Sequence, residues 1–345
     1  MPLSTPMPLR LAINGYGRIG RSVLRALVER RLFGELRVVA INEIADLDTI
    51  LYLTRYDSTH GRFPAVVDGA GSELRIGDWP IAVSRIEAPG ELPWAAHDID
   101  VVLECSGTFS DRAGAERHLA AGARRVLFSQ PALPEIDITL VYGVNHGQLG
   151  AAHRVVSAAS CTTNCVVPVI QVLHRALGIE AGVITTIHSA MNDQPVLDSY
   201  HHTDLRKTRA AIQSIIPVDT ALARGIDRVL PELAGRFAAQ AMRVPTQNVS
   251  AIDLSIQVGR DTGEAEVNHL LQAAATGPLE GILGYTEEPL ASCDFNHDPR
   301  SGVVDASQTR VAGRRLVKVL VWFDNEWGYA NRMVDILRHW RPLLR

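Results

Sequence analysis

Long hydrophobic runs are missing from this 345-residue chain. No apolar stretch approaches the roughly 20 residues that a membrane-crossing helix requires, which removes the membrane as a partner. Residues 1–8 lack the charged start and apolar stretch of a secretory leader and read as a disordered tail. Cysteine is scarce. Cys105, Cys161, Cys165 and Cys293 are the only four, at no framework spacing, which excludes a disulfide scaffold and fits a reducing, cytoplasmic setting. A net charge of −4 with no basic block leaves no footprint for nucleic acid. Lysine is nearly absent: Lys207 and Lys318 stand alone in a pool of 34 Lys+Arg, so arginine must make most cationic contacts. His201-His202 and Asn296-His297-Asp298 have no Cys or His set at ligand spacing around them, so no metal site is expected.

What the chain does have is length for two domains and 46% hydrophobic residues to fill their cores. Up to about residue 157, strand patterns (Leu9–Asn14, Arg37–Asn42, Val101–Cys105, Arg125–Ser129, Leu140–Tyr142, Arg154–Ser157) alternate with helical ones such as Asp111–Ala121. That alternation predicts a Rossmann-type, doubly wound parallel sheet. Beyond the helical run Val166–Leu177 the texture turns β-rich at Val183–Ser189, Ala239–Val244, Ala251–Val258 and Leu316–Phe323, with one helix over Glu264–Thr276. The expected fold class is therefore α/β: a dinucleotide-type domain over 9–160 followed by an α+β domain with a mixed or antiparallel sheet over 161–326. A helix over 327–340 is expected to pack back on the first domain.

Leu9–Asn14 leads straight into Gly15-Tyr16-Gly17-Arg18-Ile19-Gly20 and a helix. In such a fingerprint one glycine makes the tight turn, one lets the backbone approach a pyrophosphate, and one allows close helix–strand packing. The helix start then offers N–H groups to the phosphates. Arg37–Asn42 ends at Glu43, an acid about 20 residues further on and placed for the adenosine ribose diol; its charge would repel a 2′-phosphate, which selects NAD over NADP.

Ser160-Cys161-Thr162-Thr163-Asn164-Cys165 joins a strand to a helix. There the helix dipole favours negative charge, and a cysteine pKa can fall from about 8.5 into the range of roughly 3.5–7.5. Cys161 is accordingly expected to be a thiolate nucleophile at neutral pH. A nucleophile of this kind needs a base, and His188, at a strand end before Met191-Asn192-Asp193-Gln194, is the candidate. Cys165 and Cys293 are expected to be packed and unreactive.

Taken together, GYGRIGR (Gly15–Arg21), SCTTNC (Ser160–Cys165), His188, MRVPT (Met242–Thr246) and DNEWGYANR (Asp324–Arg332) resemble the phosphorylating glyceraldehyde-3-phosphate dehydrogenase superfamily, from about residue 9 to residue 338. Within it, His188–Gln194, Tyr56–Phe63, Asp294–Pro299, Ser307–Val311 and Glu43 look like the branch that oxidises D-erythrose 4-phosphate. Met191 stands where the glycolytic pattern has a threonine whose hydroxyl helps to bind phosphate, and a thioether cannot donate that bond.

The resemblance implies NAD as cofactor, a small phosphorylated aldehyde as substrate, and a hemithioacetal and then a thioester on Cys161. Its oxyanion would be held by the Cys161 N–H and His188. Water would be the acyl acceptor in the erythrose-4-phosphate branch, a step toward pyridoxal phosphate; inorganic phosphate would be the acceptor in the glycolytic alternative. A third reading is an idle NAD-binding interaction protein. By position, Ser160, Thr162, Asp193, Arg209, Thr220 and Arg243 match anion-binding residues. Asn325 matches the residue that orients the nicotinamide carboxamide, Tyr329 packs near the ring, and Ser106, Gly107 and Ser129 fall beside the cofactor. Glu87-Ala88-Pro89 departs from the family's adenine-side Arg-Asp-Pro. The segment Gln194–Ile216 resembles a loop that crosses a subunit interface, which implies a homotetramer.

Overall fold

The computed structural model describes residues 7–201 and 204–344. His202 and most of the expected N-terminal tail lie outside the described residues. Two compact units emerge: one comprises the chain up to Leu140, Asn145–Ala159 and the chain from Ala330 onward, the other Val141–Val144 and Ser160–Tyr329.

The first unit opens with β1 (Leu9–Asn14), α1 (Arg18–Glu29) and β2 (Leu36–Asn42). Leu9, Leu11, Ala12 and Ile13 are all buried, as a strand covered on both faces requires. Val23, Leu24, Ala26 and Leu27 line the inner face of α1 at helical spacing. There follow α2 (Leu47–Arg55), β3 (Val67–Ala70), β4 (Glu73–Ile76), β5 (Trp79–Ser84) and β6 (Val101–Glu104). The unit continues with α3 (Arg112–Ala120), β7 (Arg125–Phe128), β8 (Ile138–Thr139) and β9 (Val155–Ser157). Among the described residues these strands form one sheet in the order β8-β9-β7-β6-β1-β2-β5-β4-β3. Neighbours from β8 to β5 run parallel, and β4 and β3 add an antiparallel edge. The winding direction reverses between β1 and β6, where Asn14 is registered against Glu104. That is the topological switch point at which open α/β sheets bind their ligands.

Two expectations change here. The antiparallel edge was not foreseen, because β3 and β4 are four-residue strands with glycine and charge among few apolar positions. Leu140–Tyr142 is not a strand; pairing stops at Thr139, and Val141–Val144 belongs to the second unit. Gly143, at φ +89, sits so close to Ile282 and Leu279 that a Cβ would meet Ile282 Cδ1 at 2.9 Å, which draws this turn onto the second core.

The second unit runs α4 (Cys161–Leu177), β10 (Ile179–His188), β11 (Ile216–Val218), α5 (Leu222–Val229), β12 (Phe237–Arg243) and β13 (Ser250–Val258). It continues with α6 (Glu264–Ala275), β14 (Leu283–Thr286), β15 (Gly302–Ala312), β16 (Leu316–Phe323) and the start of α7 (Trp327–Trp340). The sheet order is β11-β12-β10-β13-β16-β15-β14. It is mixed, with β10 parallel to β12 and β14 parallel to β15. From Ala330 on, α7 is part of the first unit, where Asp335 pairs with Arg30 at 2.6 Å. No described helix is long and apolar enough to cross a membrane.

Candidate active site

Cys161 occupies the first turn of α4, after the N-cap Ser160, whose Oγ accepts the Thr163 N–H at 3.0 Å. Ser160 Oγ also bonds the hydroxyls of Thr162 at 2.8 Å and Thr163 at 2.7 Å. Serine at the N-cap followed by two threonines thus fixes the turn that presents the thiol. His188 ends β10 and is buried. Its Nδ1 lies 2.8 Å from Ser189 O. A carbonyl only accepts, so Nδ1 carries the proton of the neutral ring and Nε2 keeps a lone pair. That nitrogen lies 3.9 Å from Cys161 Sγ.

Burial works against the thiolate expectation. Burial pushes the Cys161 thiol up to about 11; the N–H groups of Thr162 and Cys161 and the charge of Arg243 pull it back only in part. Burial likewise pushes His188 down to about 4. Both shifts favour the uncharged pair, a thiol beside a neutral imidazole. The helix start lowers the thiol pKa, as anticipated, but desolvation is the larger effect.

Around His188 a polar cluster forms. Arg243, at the end of β12, is the register partner of His188. It donates from Nη1 to Asp193 Oδ1 at 3.0 Å and to Gln194 Oε1 at 3.2 Å. Asp193 Oδ2 accepts from Lys207 Nζ at 2.9 Å. Burial opposes the Asp193 charge, but Lys207 and Arg243 more than offset it and hold the carboxyl below its usual range. Lys207 was not among the expected site residues. Arg209, expected among the anion-binding residues, is exposed and paired with Asp198 at 3.0 Å. Thr220 lines an open cavity of about 550 Å³ with Asp219, Arg224 and Gln240, and its Oγ1 accepts the Leu222 N–H. Met191 is exposed. Asn325 Oδ1 accepts from Ser189 Oγ and Ser250 Oγ, both at 3.0 Å, and Tyr329 is buried. Cys165 is buried as expected, whereas Cys293 is exposed on the short turn Ser292–Phe295.

In the first unit the residues fit a dinucleotide. Gly15, at φ +85, lies so near Ser106 that a Cβ would meet its Cα at 2.4 Å. Gly20 lies against Gly15, its notional Cβ 2.5 Å from Gly15 O. A Cβ on Gly17, by contrast, would meet nothing within 4 Å, and no side chain caps α1 there. The helix start is therefore open to an anion. Glu43 Oε2 accepts the Tyr16 N–H at 2.8 Å, which ties the acid to the fingerprint turn.

Other side chains of the fingerprint turn inward. Tyr16 is buried with its hydroxyl on Thr54, and Arg18 pairs with Asp57. Ser106 gives its N–H and hydroxyl to Glu104 Oε1. Glu104, fully buried, also takes Asn14 Nδ2 at 2.7 Å and contacts His118 Nε2 at 2.8 Å. Gly107 has φ +75, and Ser129 donates its N–H to Glu104 O. Nothing in the linear pattern marked Glu104, because a lone acid closing an apolar strand carries no periodic signal.

Two family models match the chain. One, described as glyceraldehyde 3-phosphate dehydrogenase, NAD binding domain, covers residues 9–112, and the other, glyceraldehyde 3-phosphate dehydrogenase, C-terminal domain, covers residues 160–325. The protein is an NAD-dependent oxidoreductase acting on a phosphorylated aldehyde. It belongs to the glyceraldehyde-3-phosphate dehydrogenase superfamily.

Proposed function

We propose that this protein oxidises D-erythrose 4-phosphate to 4-phospho-D-erythronate, with water as the acyl acceptor, and so serves a route to pyridoxal phosphate. The observation that carries this reading is Met191, exposed and with its N–H on the same Gln194 Oε1 that Arg243 contacts, where the glycolytic pattern has a phosphate-binding hydroxyl. Cys161 Sγ adds to the aldehyde carbon, and the thiol proton, taken by His188 Nε2, is returned to the carbonyl oxygen to complete the hemithioacetal. His188 Nε2 then removes the hydroxyl proton as the C–H bond breaks. NAD, when bound, would supply the hydride acceptor; Gly15, Gly17, Gly20 and Glu43 would hold its adenosine and phosphate portion, and Asn325 its carboxamide. His188 releases the hydroxyl proton to solvent, then takes a proton from a water that adds to the thioester; the C–S bond breaks to release the acid, and His188 returns the proton to sulfur to regenerate the thiol. The Cys161 N–H and His188 stabilise the oxyanion at each addition.

The glycolytic alternative, with inorganic phosphate as acceptor, draws on a specific feature too. Arg243 and Lys207 give the cluster two cations against one carboxylate, a charge balance that suits an anion. A homotetramer fits the apolar side chains Val196, Leu197, Tyr200, Leu205, Ile212 and Ile215, all exposed along the interface-like segment.

The deciding experiment is NADH formation with D-erythrose 4-phosphate and with D-glyceraldehyde 3-phosphate, each with and without inorganic phosphate. Higher kcat/KM on the four-carbon aldehyde without need for phosphate supports the proposal. Strict phosphate dependence with preference for the three-carbon aldehyde selects the alternative.

A further inference from the structure

The segment Asn248-Val249-Ser250 holds the two residues that precede Glu326 at the start of α7. Asn248 Nδ2 donates to Asp324 Oδ2 at 2.8 Å, and His297 N–H donates to the same oxygen at 2.8 Å. The other oxygen, Asp324 Oδ1, accepts the N–H groups of Glu326 and Trp327. Asn325 is held separately, by the Ser189 and Ser250 hydroxyls on Oδ1. Between Asn248 and Ser250 stands Val249, buried and at φ +66. A β-branched residue in the left-handed region is strained, and such strain persists only where surrounding bonds over-determine the backbone.

Proton counting fixes which way the Asn325 amide faces. Ser189 and Ser250 are both buried, and Ser250 Oγ already accepts the Ser189 N–H at 3.0 Å. With Oδ1 toward the serines, each hydroxyl proton has an acceptor. Were the amide reversed, Nδ2 would present only donors; the Ser189 hydroxyl proton would lose its acceptor and that of Ser250 would keep only the long 3.5 Å contact with Ser189 Oγ, which is costly in a buried setting. The orientation with Nδ2 turned away from the serines is therefore the favoured one.

We infer that Ser189 and Ser250, backed by the strained Val249, are positioning residues. They lock Asn325 so that its Nδ2–H group addresses the carboxamide oxygen of the nicotinamide. The inference rests on the role given to Asn325 under the proposed function.

The test compares the equilibrium Kd, and alongside it kcat/KM, for NAD with those for thionicotinamide adenine dinucleotide, in which sulfur, a poor acceptor, replaces that oxygen. Wild type is expected to prefer NAD, and Asn325→Ala to lose that preference. Ser189→Ala/Ser250→Ala is expected to lose about fivefold of it, the size of one net hydrogen bond. A purely structural loosening would lower both coenzymes in parallel and leave the ratio alone. If Asn325→Ala keeps the ratio, the role of Asn325 fails and the proposal falls with it. If Asn325→Ala loses the ratio and the double variant keeps it, the clamp alone is overturned. Should the double variant not fold, each single variant is expected to lose about twofold, a fraction of one hydrogen bond, and a wild-type ratio in both overturns the proposal.

Discussion

His188 and Arg243 are register partners on the adjacent parallel strands β10 and β12. Base and guanidinium are therefore placed by the same ladder, and the Arg243 charge helps to keep the ring neutral, after burial, which is the larger cause. Arg243→Ala should raise the KM for the phosphorylated aldehyde by about a hundredfold, since charge-assisted hydrogen bonds contribute roughly 1.5–3 kcal/mol each. It should also move the acid limb of the kcat/KM profile to higher pH, because a cation that opposes protonation has gone. A profile whose acid limb stays in place or moves the other way would remove Arg243 from the electrostatics of His188.

Alkylation of the cofactor-free protein by iodoacetamide tests the state of Cys161. With the thiol held up to about 11, the inactivation rate should rise about tenfold per pH unit from 7 to 10 with no plateau. A plateau beginning near pH 6 would mean that the ion pair with His188 already exists in the resting protein. Cys161→Ser should abolish turnover and leave NAD binding nearly unchanged. His188→Asn should cost about 10²–10⁴ in kcat, the range for one general acid–base group.

The sequence carried the first unit's architecture because β1, α1 and β2 have strong period signals and a glycine fingerprint between them. It carried the placement of Cys161 at a helix start and of His188 at a strand end because both are local features. It did not carry the Cys161 pKa, which depends on how much apolar surface the rest of the fold brings around the sulfur. Nor did it carry Lys207, whose value lies in a contact with Asp193 fourteen residues away across an irregular segment. β15 was missed although it is eleven residues long, because Asp305, Ser307, Gln308, Thr309 and Arg310 break its apolar run.

Met191→Thr restores a hydroxyl beside the Asp193–Arg243–Lys207 cluster. The substitution should improve kcat/KM for D-glyceraldehyde 3-phosphate by about fivefold relative to D-erythrose 4-phosphate, the size of one net hydrogen bond. An unchanged substrate ratio would take Met191 out of the specificity argument and weaken the four-carbon reading.

Lys207 and Arg209 separate contact from proximity in sequence. Lys207→Ala removes a cation from Asp193 and should raise the KM for either phosphorylated aldehyde by about tenfold, with unphosphorylated glyceraldehyde unaffected. Arg209→Ala breaks an exposed pair with Asp198 and should change KM by no more than about twofold. Equal effects of the two substitutions would mean that the segment rearranges on binding substrate.

Arg18 lies within the glycine fingerprint, yet its guanidinium pairs with Asp57. Burial works against the Asp57 charge; Arg18 and the His60 and Thr59 N–H groups outweigh it and lower the carboxyl from 3.8 to about 2. The folded pKa is depressed, so the linked stability is present above pH 3.8 and is lost as pH falls through about 2. Asp57 is partly exposed, so after solvent screening this shift corresponds to about 1 kcal/mol. Asp57→Asn should lower unfolding free energy by that order at pH 7 and by progressively less toward pH 2, as read by denaturant titration across the range. A loss that stays constant with pH would point to packing rather than charge. Arg18→Ala should reproduce the pH-dependent loss while NAD affinity stays within about threefold, under 1 kcal/mol. A larger fall in NAD affinity would show that the guanidinium leaves Asp57 for the pyrophosphate when the cofactor binds.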